Sequence, residues 1–221
     1  MTKRKLQRFA ENDTFPILVQ RQISYPPVPD VLKGRWNENF FSIKQPIIVE
    51  LGCGRGEYTV NLAERHPEKN YIGVDFKGAR IWRGAKTAVE NKMNNVGFLR
   101  IEIQHIELFF SQKEVSEVWI TFPDPQLQRS REKKRLTSVE FLDRYRNILT
   151  DDGIIHLKTD SKELYDYTLE VINEQKCRLH ESTDDLYHSH AGNEILSIQT
   201  TYEKMFRDKG ARICYLKFSL S

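Results

Sequence analysis

Residues Ile47–Gly56, IIVELGCGRG, restrict what this chain can fold into more than any other ten. Apolar and β-branched residues lead to an acid, Glu50, and glycines then fall at positions 52, 54 and 56. A short apolar run bounded by glycine reads as a buried strand. The glycines mark a loop whose backbone must approach something closely, or turn in ways a Cβ opposes. A helical pattern follows over residues 55–66, so the loop opens on a helix N-terminus. Strand, glycine loop and helix make the cofactor corner of a doubly wound α/β fold.

Glycine spacing separates the ligands such a corner can take. A dinucleotide fingerprint needs G-x-G-x-x-G, so that a pyrophosphate rests on the helix start. Here the third glycine comes one place early, and Glu57 follows it. Glu50 and Glu57 would crowd a pyrophosphate with negative charge. A cationic ligand without phosphate fits better, and S-adenosylmethionine, with its sulfonium and ammonium groups, is one. An acid at the strand end can hold it, while Gly52 and Gly54 let its adenosine and methionine parts lie against the backbone. A plain tight turn before a helix is the competing reading.

The chain has 221 residues, 39% of them hydrophobic, and a formal net charge of +3. That suits one globular domain with a full core. No run approaches the ~18 apolar residues of a membrane span. The start, MTKRKLQRFAENDT, is basic but lacks the apolar stretch of a secretory signal, and its early Glu11 and Asp13 argue against a mitochondrial transit peptide. Cys53, Cys177 and Cys214 are scattered, without metal spacing or a disulfide framework. A reducing cytoplasm is the expected compartment. Residues 1–45, polar and dotted with Pro26, Pro27 and Pro29, read as a partly irregular arm, and residues 46–221 as the folded domain.

Strands are expected at Ile47–Leu51, Tyr71–Asp75, Phe98–Ile101, Glu117–Thr121 and Gly153–Lys158, with two more near Lys176–Glu181 and Arg212–Phe218. Helices are expected over Ala79–Lys92, Ser138–Leu149, Lys162–Glu174 and Tyr202–Lys209. The alternation predicts a doubly wound, Rossmann-like, mostly parallel sheet. Ligands in such sheets bind beyond the carboxyl ends of the strands. There stand Glu50 and its glycines, Asp75, Glu102 with Gln104, Phe122-Pro123-Asp124-Pro125, and Thr159-Asp160.

Each of these carries a chemical and a structural reading. Asp75, about 20 residues past the glycine loop, suits ribose hydroxyls, and also suits a helix N-cap. Two prolines stiffen the backbone around Asp124, which either orients an acceptor or simply ends a strand. The run from Gln128 to Arg135 holds five basic residues in its last seven; beside a presumed site it would grip a phosphate backbone without reading bases. Asp160 or Ser161 can cap the next helix. Thr200-Thr201-Tyr202-Glu203 matches a capping box. His180, His188 and His190 lack the spacing of a metal site, and Trp36, Trp82 and Trp119 read as packing residues.

Taken in order, VELGCGRG, YIGVDFK, FPDP followed by EKKRL, HLKTD, and TTYEKMF with its downstream glycine resemble the bacterial tRNA (guanine-N7)-methyltransferase family. Each stretch alone is weak; the ordered set, spanning about residues 47–218, is specific. The resemblance implies a class I methyltransferase fold with helices on both faces of the sheet and an antiparallel last strand. It implies S-adenosylmethionine as methyl donor, no metal, and a guanine of the tRNA variable loop as acceptor. Cofactor contacts then fall to Glu50, Gly52, Gly54, Asp75 and Asp124, with a further one at Glu102 or its neighbour Gln104. Catalysis falls to Asp124 and Asp160. Substrate contacts fall to Gln128, Arg129, Asp160, Thr200, Thr201, Tyr202 and Glu203, against the capping pattern of the last four. The family continues the DP pair with Trp-Pro-Lys, whereas this chain has Gln126-Leu127-Gln128. Gln128 thus replaces an expected lysine; an amide hydrogen-bonds but brings no charge, and Arg129 is the cation beside it.

The chemistry agrees with those residue types. Guanine N7 has an in-plane lone pair and no proton to lose, so no general base is needed. Alignment with the methyl–sulfur bond can supply much of the rate. The guanine N1–H and N2–H₂ groups want acceptors, and Asp160 and Glu203 are carboxylates. Acids near the ring also offset the positive charge that develops there. The expected partner is tRNA, with no membrane and no obligatory protein partner, the chain acting as a monomer or homodimer. Two other readings stand: a class I methyltransferase for a small molecule or protein, which the basic run disfavours, and a non-catalytic RNA-binding module, which the set of acids disfavours.

Overall fold

All five residues of β2 (Ile47–Leu51) are buried, as the central strand of a sheet covered on both faces must be. A computed structural model describes residues 3–189, 193–208 and 210–220. The other strands are β1 (Leu18–Gln20), β3 (Asn70–Asp75), β4 (Val96–Arg100), β5 (Val115–Thr121), β6 (Leu149–Thr159), β7 (Arg178–Thr183) and β8 (Cys214–Ser219). They form one sheet in the order β1-β4-β3-β2-β5-β6-β8-β7. Pairing is parallel from β1 through β6, and β8 runs antiparallel to both β6 and β7. The chain moves outward from β2 through β3 to β4, then returns to the other flank of β2 as β5. The ends of β2 and β5 therefore flank the switch point where such sheets bind ligands.

Side chains alternate across the sheet. Val49 and Leu51 join a core layer with Leu142 and Tyr145 of α5 (Val139–Ile148) and Leu164 and Val171 of α6 (Lys162–Glu174). Ile48 joins the opposite layer with Tyr58 and Leu62 of α3 (Glu57–Arg65) and Ile81 and Ala85 of α4 (Gly78–Glu90). Glu50 shares the face of Ile48, so an acid occupies a core position under α3. The remaining helices are α1 (Lys3–Asn12), α2 (Trp36–Asn39), α7 (Leu186–Ser189) and α8 (Thr201–Asp208). No helix among the described residues is long and apolar enough to cross a membrane.

The first 45 residues hold more regular structure than their sequence shows. Helix α1 packs on α4, with Asn12 Nδ2 donating to Gly78 O at 2.9 Å and Trp82 Nε1 to Glu11 Oε2 at 2.6 Å. Strand β1 extends the sheet beside β4. Neither is legible: α1 has no acid in its first turn, and three residues are too few to display a period. Trp36 and Trp119 are core residues, 0% and 3% exposed.

Candidate active site

The three loop glycines share a left-handed backbone, with φ of 75°, 56° and 67° at Gly52, Gly54 and Gly56. A non-glycine residue would be strained at each, yet their surroundings differ. A Cβ on Gly56 would lie 2.6 Å from Phe98 Cε1 and 3.2 Å from the Gly84 backbone. The early third glycine thus lets the start of α3 pack on α4. A Cβ on Gly52 or Gly54 would meet nothing nearer than 3.9 Å, so these two line open space. Asp75 holds the loop in shape: its Oδ2 accepts from Gly54 N at 3.0 Å and its Oδ1 from Lys77 N at 2.8 Å.

That open space is a cavity of about 380 Å³, within the usual range for small-molecule sites. Gly52, Gly54, Lys77, Asp124, Asp160, Thr200 and Tyr202 line it. Asp124 rides on a turn set by left-handed residues on both sides, Phe122 at φ 49° and Gln126 at φ 46°. A bulky residue there costs about 1–3 kcal/mol. Phe122 N donates to Lys158 O at 2.8 Å, and Asp124 Oδ1 accepts from Gln126 N at 3.1 Å. Asp160 is half-buried, and burial pushes its carboxyl up. Ser161, not Asp160, caps α6, its Oγ accepting from Leu164 N at 3.2 Å. The aspartate is left to face the cavity.

Other expected site residues stand elsewhere. Glu50 lies beneath the loop, 3% exposed, and accepts hydrogen bonds from Thr59 N at 2.8 Å, from the Thr59 hydroxyl and from Thr121 Oγ1. Burial, only partly opposed by these donors, raises its carboxyl to about 7. Glu102 accepts from Gln104 Nε2 at 2.7 Å, and both line a separate hollow across Phe76. Gln128 and Arg129 are exposed, outside the cavity lining. Thr201 is engaged by Glu57, donating through N and Oγ1 at 2.6 Å each. Glu57, read from sequence only as a charge unsuited to pyrophosphate, thereby ties α3 to α8.

Glu203 is fully buried and is no free acceptor for a guanine edge. Its carboxylate pairs with Lys158 Nζ at 3.0 Å and accepts from Tyr187 OH at 2.6 Å. The capping box is half realised: Thr200 Oγ1 accepts from Glu203 N at 3.1 Å, while the glutamate side chain goes to Lys158. That lysine, 0% exposed, also donates to Leu196 O and Ile198 O at 3.1 Å each. The sequence carried a signal for it, since a lysine inside the apolar strand of HLKTD needs a buried partner. Of the three grouped histidines, His180 bonds Ser219 Oγ at 3.1 Å, and His190 lies outside the described residues.

A mostly parallel sheet with an antiparallel β8, and a glycine corner left open beside two acids at the switch point, define a class I methyltransferase. Residues 44–216 match a family described as "Putative methyltransferase". A tRNA (guanine-N(7)-)-methyltransferase of Christiangramia forsetii is 48% identical over 223 residues, covering 99% of each chain. Its counterpart in Bacteroides thetaiotaomicron is 48% identical over 100% of this chain and 87% of its own. That of Brevibacillus brevis is 32% identical over 90% and 88%. With identity sustained end to end, the chain belongs to the tRNA (guanine-N7)-methyltransferase family. Among solved structures, the 16S rRNA methyltransferase KamB shares the fold with a TM-score of 0.66 at 14% identity, over 91% of this chain and 100% of that one. A geranyl diphosphate methyltransferase shares it with 0.54 at 15% identity, over 80% and 71%. Substrates as different as 16S rRNA and geranyl diphosphate on one fold mean that the fold does not choose the acceptor.

Proposed function

We propose that this chain transfers a methyl group from S-adenosylmethionine to N7 of a guanine in the tRNA variable loop. One observation carries the reading: Asp124, Asp160, Thr200 and Tyr202 meet around one cavity beside the open glycine loop. The residues fit the donor, because Gly52 and Gly54 have room for a ligand against their backbone and acids surround the corner. When bound, S-adenosylmethionine supplies an electrophilic methyl group. Gly52, Gly54 and Lys77 would hold it, with Asp75 fixing the loop and Glu50 buried beneath it. Asp160 accepts hydrogen bonds from the guanine N1–H and N2–H₂ edge and fixes the ring. So fixed, the ring would present its N7 lone pair to the donor's methyl group. No proton leaves N7, and the ring gains a positive charge that Asp124 and Asp160 offset.

The reading takes tRNA as the macromolecular partner and a cytoplasmic setting. No step in it calls on a metal or a second subunit. Incubation of the purified protein with methyl-labelled S-adenosylmethionine and bulk tRNA, followed by nucleoside analysis, tests it. The expected product is labelled 7-methylguanosine; label in a different nucleoside, or in none, overturns it.

A further inference from the structure

Beside the active-site cavity lies a cleft of about 400 Å³ built from parts far apart in sequence. Helix α4 presents Arg80 and Arg83 one turn apart, Arg8 comes from α1 and Arg55 from the glycine loop. Arg8 is set in place, its guanidinium 4.7 Å from the Trp82 ring centre and its Nη1 donating to Ala79 O at 3.5 Å. Arg55 has an acid within reach, Glu57 at 3.7 Å, but that carboxylate is already shared with Thr201. The other acid at this edge, Glu11, is taken by Trp82 Nε1 and by Lys86 at 3.6 Å. Among the described residues, no carboxylate pairs with Arg8, Arg80 or Arg83.

Like charges gathered in a concave surface focus a field that draws polyanions. Guanidinium forks match phosphate oxygens in geometry as well as charge. Arg55, Arg80 and Tyr202 line both this cleft and the active-site cavity. The two hollows therefore adjoin, so an anion held here and a base in the cavity can belong to one molecule. S-adenosylmethionine has no phosphate to offer. The basic run Arg129–Arg135 follows β5, whereas α4 follows β3, and β2 lies between those strands.

We propose that the Arg8–Arg55–Arg80–Arg83 cleft is a phosphate-backbone site for the RNA acceptor, on the rim opposite the basic run, so that the backbone is gripped on both sides of the methylated base. This rests on the methyl-transfer reading above. The test uses the full chain with Arg83→Gln alone and with Arg8→Gln added. Arg83 is exposed, so the single variant guards against loosening of α1 by the second. Equilibrium binding of tRNA is measured from low to moderate salt, with S-adenosylmethionine binding measured by calorimetry. For the double variant, the expected results are about tenfold weaker tRNA binding and a log–log salt slope shallower by about 1.5. Both outer arginines lie outside the cofactor cavity lining, so S-adenosylmethionine affinity stays within about twofold. Unchanged tRNA affinity and slope in both variants overturn the proposal. If the wild type forms no 7-methylguanosine yet binds tRNA with this arginine dependence, the cleft stands and the methyl-transfer reading falls.

Discussion

Asp160 is available for chemistry because its neighbour does the capping. Ser161 satisfies the start of α6, so Asp160→Asn removes a charge without removing a cap. Turnover is expected to fall on the order of 10²-fold while the melting temperature moves by less than about 2 °C; a near-normal rate would free Asp160 from the role given to it. Glu50 makes a different prediction, through stability. An ordinary glutamate titrates near 4.5 and Glu50 in the folded chain near 7. Between those values the folded state keeps a proton the unfolded chain has lost, so stability falls as pH rises from 4.5 to 7. The loss is on the order of 3 kcal/mol. Glu50→Gln removes it, so the variant gains on the wild type as pH is raised from 4.5 to 8. Urea unfolding at a series of pH values checks this, and a pH-independent difference between the two proteins would rule Glu50 out as the titrating group. The same buried acid shows what residue type alone conveys. Glu50 at a strand end was legible as an acid of the cofactor corner, but Thr59 and Thr121, which hold it under the loop, lie 9 and 71 positions away.

At the level of elements, β6 positions both walls of the cavity. Its end carries Asp160, and one residue earlier than Thr159 its Lys158 holds the segment leading into α8. Two carbonyls of that segment, Leu196 O and Ile198 O, and the Glu203 carboxylate of α8 converge on one ammonium group. This arrangement delivers Thr200 and Tyr202 to the cavity. The motif TTYE was visible in sequence, and so was the strand of HLKTD, but their connection through a buried ion pair was not, because pairing over 45 residues leaves no local period. Lys158→Met strands a buried carboxylate and is expected to cost about 3–5 kcal/mol. Adding Glu203→Leu removes the stranded charge, and the double variant should regain most of that stability. Turnover should stay low in the double variant, with KM for tRNA raised more than KM for S-adenosylmethionine, because the two carbonyls have still lost their anchor. Full recovery of turnover alongside stability would make the pair a packing device only.

Across the whole molecule, the sheet order explains why so much of the site was readable. Strand ends announce themselves by their acids and glycines, and the return from β4 to β5 collects the ends of β2 and β5 at one crevice. What a linear reading lost is what the fold assembles from its margins: β1, α1 and the arginines that α1 shares with α4. Helix α1 is polar and short, and its stability must come from α4 rather than from its own propensity. The contact works in both directions. Glu11 holds Trp82, Asn12 covers Gly78 O, and Phe9 lies where any side chain on Gly78 would have to go, 2.9 Å from its would-be Cβ. Deleting residues 1–13 therefore uncovers the start of α4 while leaving β1 and every residue of the active-site cavity in the chain. The melting temperature is expected to drop by roughly 5 °C, as the loss of about 2 kcal/mol does in a domain of this size. S-adenosylmethionine binding should survive, since the glycine loop is held by β3 through Val74 and Asp75. An unchanged melting temperature would show that α4 needs no cover, and loss of cofactor binding would show that α1 supports the glycine loop as well as the cleft.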